Sequence, residues 1–227
     1  MRTAICFHGQ PRFYDEMYHH IWKYLIQKYN ADVFIHTYWD AHHVGELYPV
    51  RVRDVFNEED IKIKEDAIRK LTELYKPVCI EYDWYDSSKI SKHETNYYQY
   101  YTQYAVKNLK CLYEQQNIFK YDMIIRTRFD YACRRTDYDL DLSSLWVPDT
   151  CPNQGLYTDA FSVSNSEYFD RVSDCYLNLE LFDAVGNGHT EYALKSQIEK
   201  EKIPVNKIAM KADVLRSDRS ALGEQYK

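Results

Sequence analysis

The stretch Tyr121-Asp122-Met123-Ile124-Ile125-Arg126-Thr127-Arg128-Phe129-Asp130 decides the fold. Met123, Ile124 and Ile125 are apolar at consecutive positions, which suits a strand covered on both faces, as in the parallel sheets of α/β proteins. The run then stops in two arginines and a carboxylate. Side chains alternate along a strand, so Arg126, Arg128 and Asp130 are expected on one side at its C-terminal end. That is the end at which open α/β sheets bind ligands. Two guanidinium forks beside a carboxylate suit a pyrophosphate and a divalent cation. An Arg–Asp ion pair that merely closes the strand is the other reading.

On the N-terminal side, strands and helices alternate. Thr3 to His8 reads as a first strand ending at Gly9. A helix is predicted from about Tyr14 to Tyr29, with Tyr14, Met17, Tyr18, Ile21, Trp22 and Leu25 in the i, i+3, i+4, i+7 rhythm. Ala31 to Tyr38 reads as a second strand, which completes a βαβ unit. A helix from about Glu58 to Tyr75 opens on the acidic cluster Glu58, Glu59 and Asp60 and stops at Pro77. Val78 to Trp84 is a third strand, and the polar segment Asp86 to Thr95 reads as a lid or acceptor-side loop or as a solvated connection with no role. A long helix, Tyr97 to Gln116, is expected to bury Tyr98, Tyr101, Ala105, Leu109 and Leu112 and leads into the central strand.

On the C-terminal side the elements shorten. Leu145 to Pro148 and Ala160 to Val163 are extended runs, and Ser164-Asn165-Ser166-Glu167 reads as a capping box that starts a helix to about Phe182. Gly186-Asn187-Gly188 breaks that helix; a last one, Thr190 to Lys200, precedes a strand-like Val205 to Leu215 and a polar tail from Arg216 to Lys227. The expectation is one α/β domain over 1–215, with a Rossmann-like parallel front half (1–130, nucleotide-binding) and a mixed-sheet back half (131–215, acceptor-binding).

Composition narrows the class. A net charge of −6 argues against nucleic acid as a partner. Six scattered cysteines without a C-x-x-C pair indicate neither a zinc site nor a disulfide scaffold, and they read as reduced and mostly buried. His19-His20 and His42-His43 are adjacent pairs, a spacing that does not put two imidazoles on one helical face. No window is long and apolar enough for a membrane span, and the N-terminal apolar run is too short for a signal peptide, so a cytoplasmic protein is expected.

The segments Cys6 to Arg12, Asn30 to Thr37, Tyr121 to Asp130 and Thr158 to Val163 fall in an order that resembles small glycosyltransferases of the GT-A, nucleotide-diphospho-sugar transferase type, found in bacterial polysaccharide clusters and large DNA viruses. The likeness spans roughly residues 3 to 200. It implies a GT-A-like fold, a nucleotide-sugar donor, a glycan or other hydroxyl acceptor, and an acidic metal motif after the central strand. The motif in such enzymes is Asp-x-Asp; here the position reads Arg128-Phe129-Asp130. Asp130 is therefore the expected ligand for Mn²⁺ or Mg²⁺, unless the arginines neutralise the diphosphate without a metal. Asp137, Asp139 and Asp141 repeat the Asp-x-Asp spacing in a polar stretch that reads as a solvated turn.

The chemistry of sugar transfer assigns further roles. Negative charge builds on the departing phosphate, and preplaced arginines stabilise it without reorganisation. Arg12, Arg126 and Arg128 are the candidates; Gly9 and Gln10 form the turn that approaches the nucleotide, and His36 and Thr37 close the second strand beside it. An inverting reaction also needs a base for the acceptor hydroxyl, for which Asp159 and Glu191 stand as candidates. Two other classes stay open: a non-catalytic carbohydrate- or nucleotide-sugar-binding domain, and an α/β phosphotransferase or hydrolase acting through Asp130.

Overall fold

The computed structural model describes residues 1–48, 56–84, 94–133, 140–149, 155–186, 190–208 and 212–214. Four strands form the front half: β1 (Thr3–Gly9), β2 (Asp32–Tyr38), β3 (Cys79–Asp83) and β4 (Met123–Arg128). They lie in the order β3-β2-β1-β4, all parallel. β6 (Leu145–Pro148), β7 (Phe161–Ser164) and β8 (Val205–Ile208) extend this sheet to seven strands, with β7 antiparallel to both β4 and β6, and β8 parallel to β6. A separate ribbon pairs β5 (Tyr131–Cys133) with β9 (Ala212–Val214). The α/β class, with a parallel front half and a mixed back half, is the one expected.

Alternation along the strands builds two core layers. Ile5, Phe7, Val33, Ile35 and Ile125 cluster with Met17 and Ile21 of α1 (Tyr14–Ile21) and Leu71 and Tyr75 of α4 (Ala67–Tyr75). On the other face Ala4, Cys6, Phe34 and Ile124 cluster with Val106 and Leu109 of α5 (Glu94–Asn117) and Phe169 of α6 (Ser166–Ser173). By the same parity His8, Arg126 and Arg128 belong to the α5 side. The back half has its own core, in which Leu145 and Val147 meet Phe182 of α7 (Leu179–Gly186) and Leu194 and Ile198 of α8 (Thr190–Lys200).

Several expected elements differ in detail. The first helix runs as predicted from Tyr14 to Tyr29, but a π-helical stretch, Trp22–Ile26, interrupts it before α2 (Gln27–Tyr29). The second splits into α3 (Glu58–Ile61) and α4, because Ile61 and Ile63 exchange backbone hydrogen bonds with residues 45 to 48 instead of continuing the helix. The capping box shifts by one residue: Asn165, not Ser164, caps α6 by accepting from Tyr168 N at 2.8 Å. A 3₁₀ stretch, Asp174–Asn178, separates α6 from α7. The expected loop from Asp86 lies outside the described residues up to 93, and α5 begins at Glu94. No helix among the described residues is long and apolar enough to cross a membrane.

The buried face of α5 shares Leu109 with the expected one and departs from it elsewhere. Tyr100, Gln103, Val106, Lys110 and Glu114 are buried, whereas Leu112 is 54% exposed. Periodicity read from apolar residues misses this stripe because its polar members are buried against partners. Lys110 Nζ lies 2.6 Å from Asp170 and 3.1 Å from Glu114, and Glu114 accepts from Ser166 Oγ and Tyr121 N.

Candidate functional site

β1 is flanked by β2 and β4, whose connections leave in opposite directions, so the gap beyond the C-terminal ends of β1 and β4 is the switch point where open α/β sheets bind ligands. Gly9 ends β1 there with φ +90°, and a Cβ on it would meet nothing within 4 Å. A side chain is strained in that backbone conformation, and the space in front of the turn is open. Thr37 Oγ1 donates to Gly9 O at 2.8 Å, tying the ends of β1 and β2 together. Gln10 is half-buried in the same turn. Phe13, at the cap of α1, has φ +55°, an uncommon conformation for an aromatic residue, and its ring is 3% exposed in the core. Arg12 stands between that anchor and the turn.

Arg12 reaches across the gap to β4. Its Nη2 donates to Asp130 Oδ2 at 2.6 Å, while Arg128 donates through Nε to Oδ1 at 2.8 Å and through Nη2 to Oδ2 at 2.6 Å. Asp130 is 1% exposed. Burial alone would raise its carboxyl pKa, but the charges of Arg128 and Arg12 outweigh that and hold it below the usual range. Burial likewise opposes the charge on Arg128, and Asp130 more than restores it. The Arg12 guanidinium also lies over the Phe56 ring at 4.6 Å.

One strand pleat below, Arg126 is 1% exposed and donates through Nη1 to Gln103 Oε1 at 2.6 Å. No described carboxylate pairs with it, and burial lowers its pKa. His8 is fully buried, and neither ring nitrogen has a hydrogen-bond partner among the described residues; burial, then Arg126 and Arg128, depress its pKa so that it is neutral. His36, 3% exposed, packs edge-on to Tyr101 with Nε2 3.7 Å from Asp83, and burial lowers its pKa to about 4.

The two candidate bases converge on this region. Asp159 precedes β7, is 8% exposed, and its charge is felt by both Arg126 and Arg128. Glu191, in the first turn of α8, acts on Arg128 from farther along the chain and accepts weakly from Thr190 Oγ1 at 3.3 Å. Arg128 N donates to Ala160 O, which fixes the segment carrying Asp159 beside the end of β4. The sequence reading missed Gln103 and His8. A glutamine on a helix and a histidine inside a strand carry no signal until α5 is laid over β4.

Among the described residues, those around Asp130 do not form a divalent-cation set. A hard cation needs several oxygen ligands, and the oxygens of this one carboxylate already accept three guanidinium N–H groups. Among the described residues one group, Cys111, Glu114 and Asp170, brings metal-ligating atoms within 4.8 Å of one another. It lies between α5 and α6, and the ammonium groups of Lys110 and Lys120 already neutralise it. Of the other Asp-x-Asp aspartates, Asp141 receives Ser143 N and Oγ in an exposed turn, whereas Asp137 and Asp139 lie outside the described residues.

No protein-family profile and no curated protein matches the chain. Among solved structures, the apo-form glycosyltransferase GlyE of Streptococcus pneumoniae TIGR4 is similar over 90% of this chain and 44% of its own, at 9% identity and a TM-score of 0.45. The chain thus spans less than half the length of that protein.

Proposed function

We infer that the protein is a glycosyltransferase that moves a sugar from a nucleoside-diphosphate donor to a hydroxyl of a glycan or similar acceptor. The observation that carries this reading is the convergence of Arg12 and Arg128 on one buried carboxylate at the switch point, beside the open turn at Gly9. Together these three charges leave a net cation facing the crevice, held in place before any ligand arrives. A donor diphosphate docked there meets guanidinium N–H groups along its oxygens.

In the transfer step the acceptor oxygen attacks the anomeric carbon, the bond from that carbon to the phosphate oxygen breaks, and its electron pair leaves with the diphosphate. Arg12 and Arg128 stabilise that charge. On an inverting course Asp159 takes the acceptor proton, since it is a buried carboxylate, not tied up by guanidinium groups as Asp130 is, in the segment bonded to the end of β4. Asp130 keeps the arginines oriented. Its saturation by guanidinium groups weighs against a hydrolase that uses it as nucleophile.

Thermal shift with UDP-, GDP- and dTDP-sugars, with and without Mn²⁺, followed by a donor-hydrolysis assay, tests the reading. One donor should raise Tm and be turned over. If none of them binds and none is hydrolysed, the assignment is wrong; binding without turnover would identify a carbohydrate-binding module.

A further inference from the structure

We propose that Arg126, Gln103 and His8 form an enclosed seat for a phosphate-type oxyanion, separate from the Arg12–Asp130–Arg128 group above it. The argument rests on a comparison within one strand. Arg128 holds Asp130 through Nε and Nη2, the side edge of its guanidinium. Arg126, two residues earlier on the same strand, turns the same edge to no described group: Nε and Nη2 are both buried and without a partner among the described residues. Only Nη1 is used, by Gln103.

Two neighbours of Arg126 carry unpartnered groups as well: Gln103, which it bonds, and His8, which feels its charge. Gln103 Nε2 and both nitrogens of His8 are likewise buried without partners among the described residues, and all three residues are at most 1% exposed. Buried polar groups are almost always hydrogen-bonded, and a buried cation without a counter-charge is rarer still. Arg126 and Gln103 offer only N–H donors at the vacant positions, and neutral His8 adds one more. The group that satisfies them is an acceptor with negative charge and at least two oxygens, able to take a guanidinium edge in parallel. A carboxylate from the protein would serve, but Asp159 and Glu191 form no ion pair with Arg126. The seat lies roughly 7 Å below Arg128 along the strand, so an oxyanion entering from the crevice passes Arg128 first.

This inference does not depend on sugar transfer; a phosphate-binding module would use the same seat. The chemistry is shared by free phosphate and the terminal phosphate of a nucleoside diphosphate, and binding separates them. The parent protein is titrated with inorganic phosphate and with UDP against chloride of equal ionic strength, by calorimetry and by ¹⁵N-detected NMR of arginine Nε–H. A saturable phosphate isotherm with a displaced Arg126 Nε–H resonance is expected; a response to UDP alone assigns the seat to the nucleotide. Arg126→Met should weaken that binding at least 10-fold while leaving Tm equal or higher, because it removes an uncompensated buried charge. Gln103→Leu, should Arg126→Met not fold, is expected to weaken binding in the same direction. The proposal is overturned if neither anion moves the Arg126 resonance, or if the variants bind like the parent.

Discussion

Arg12 and Arg128 each bring Nη2 to 2.6 Å from the same oxygen of Asp130, although one residue lies before the first crossover helix and the other ends the central strand. Three charges from two distant segments thus close the switch point of the sheet, and Asp130 is the carboxylate that joins them.

Asp130→Asn should cost the fold as well as the activity. Removing one partner of a buried ion group leaves the others uncompensated, which typically destabilises by about 3–5 kcal/mol. Chemical denaturation of the variant measures this; an unchanged midpoint would show that the carboxylate contributes nothing to stability.

The guanidinium geometry should matter beyond its charge. Arg12→Lys and Arg128→Lys keep the cation but lose the planar fork, so donor binding is expected to weaken by about 1–3 kcal/mol. Calorimetry with the nucleotide that the donor panel selects is the measurement, and parent-like affinity in both variants would confine these arginines to a structural role.

Because the Asp130 oxygens are occupied by N–H groups, donor binding should persist after chelation. The Tm rise produced by nucleotide-sugar in EDTA is expected to match that in Mn²⁺. A rise seen only with Mn²⁺ would restore a cation to the site.

Stability should fall between pH 6.5 and 4. His36 has a folded pKa of about 4, below its unfolded value of about 6.5, so its contribution is complete above pH 6.5 and is lost as pH drops toward 4. His8 shifts in the same direction and adds to the loss. The whole change over that range corresponds to about 3 kcal/mol for His36 alone. Unfolding free energies of His36→Gln and the parent at pH 7 and 4.5 should show a smaller difference in the variant; equal differences would place the pH dependence elsewhere.

Gly9→Ala should lower stability by about 1–2 kcal/mol from backbone strain alone, since the added methyl meets nothing in the free protein. A further loss in donor binding is expected, measured by the same calorimetry, because that methyl enters the space given to the ligand.

The parallel front half was legible because its strands are apolar runs at regular spacing, and Arg128 and Asp130 were legible because charge ends such a run abruptly. The register of α5 was not. Tyr98, Tyr101 and Ala105 are only half-buried, and the helix buries Gln103, Lys110 and Glu114 instead. The partners that make those polar residues tolerable, Arg126, Asp170 and Ser166, come from other elements, and no window of local sequence contains both halves of such a pair. The pairing of Arg12 with Asp130 was hidden for the same reason, as was the extended exchange near Ile63 that divides the second helix.

The reversal of β7 changes which part of the chain can remodel the crevice. In an all-parallel sheet every rim segment leads into a crossover helix, and altering its length strains that helix. Here the residues entering β7 reach the same rim from the opposite direction, with Ala160 bonded to Arg128 and Asp159 immediately before it. That entry segment follows a strand rather than feeding a crossover, so insertions in it can reshape this side of the rim while sheet order and the arginine group stay as they are. The shape of the crevice wall is thereby uncoupled from the charge centre at the end of β4.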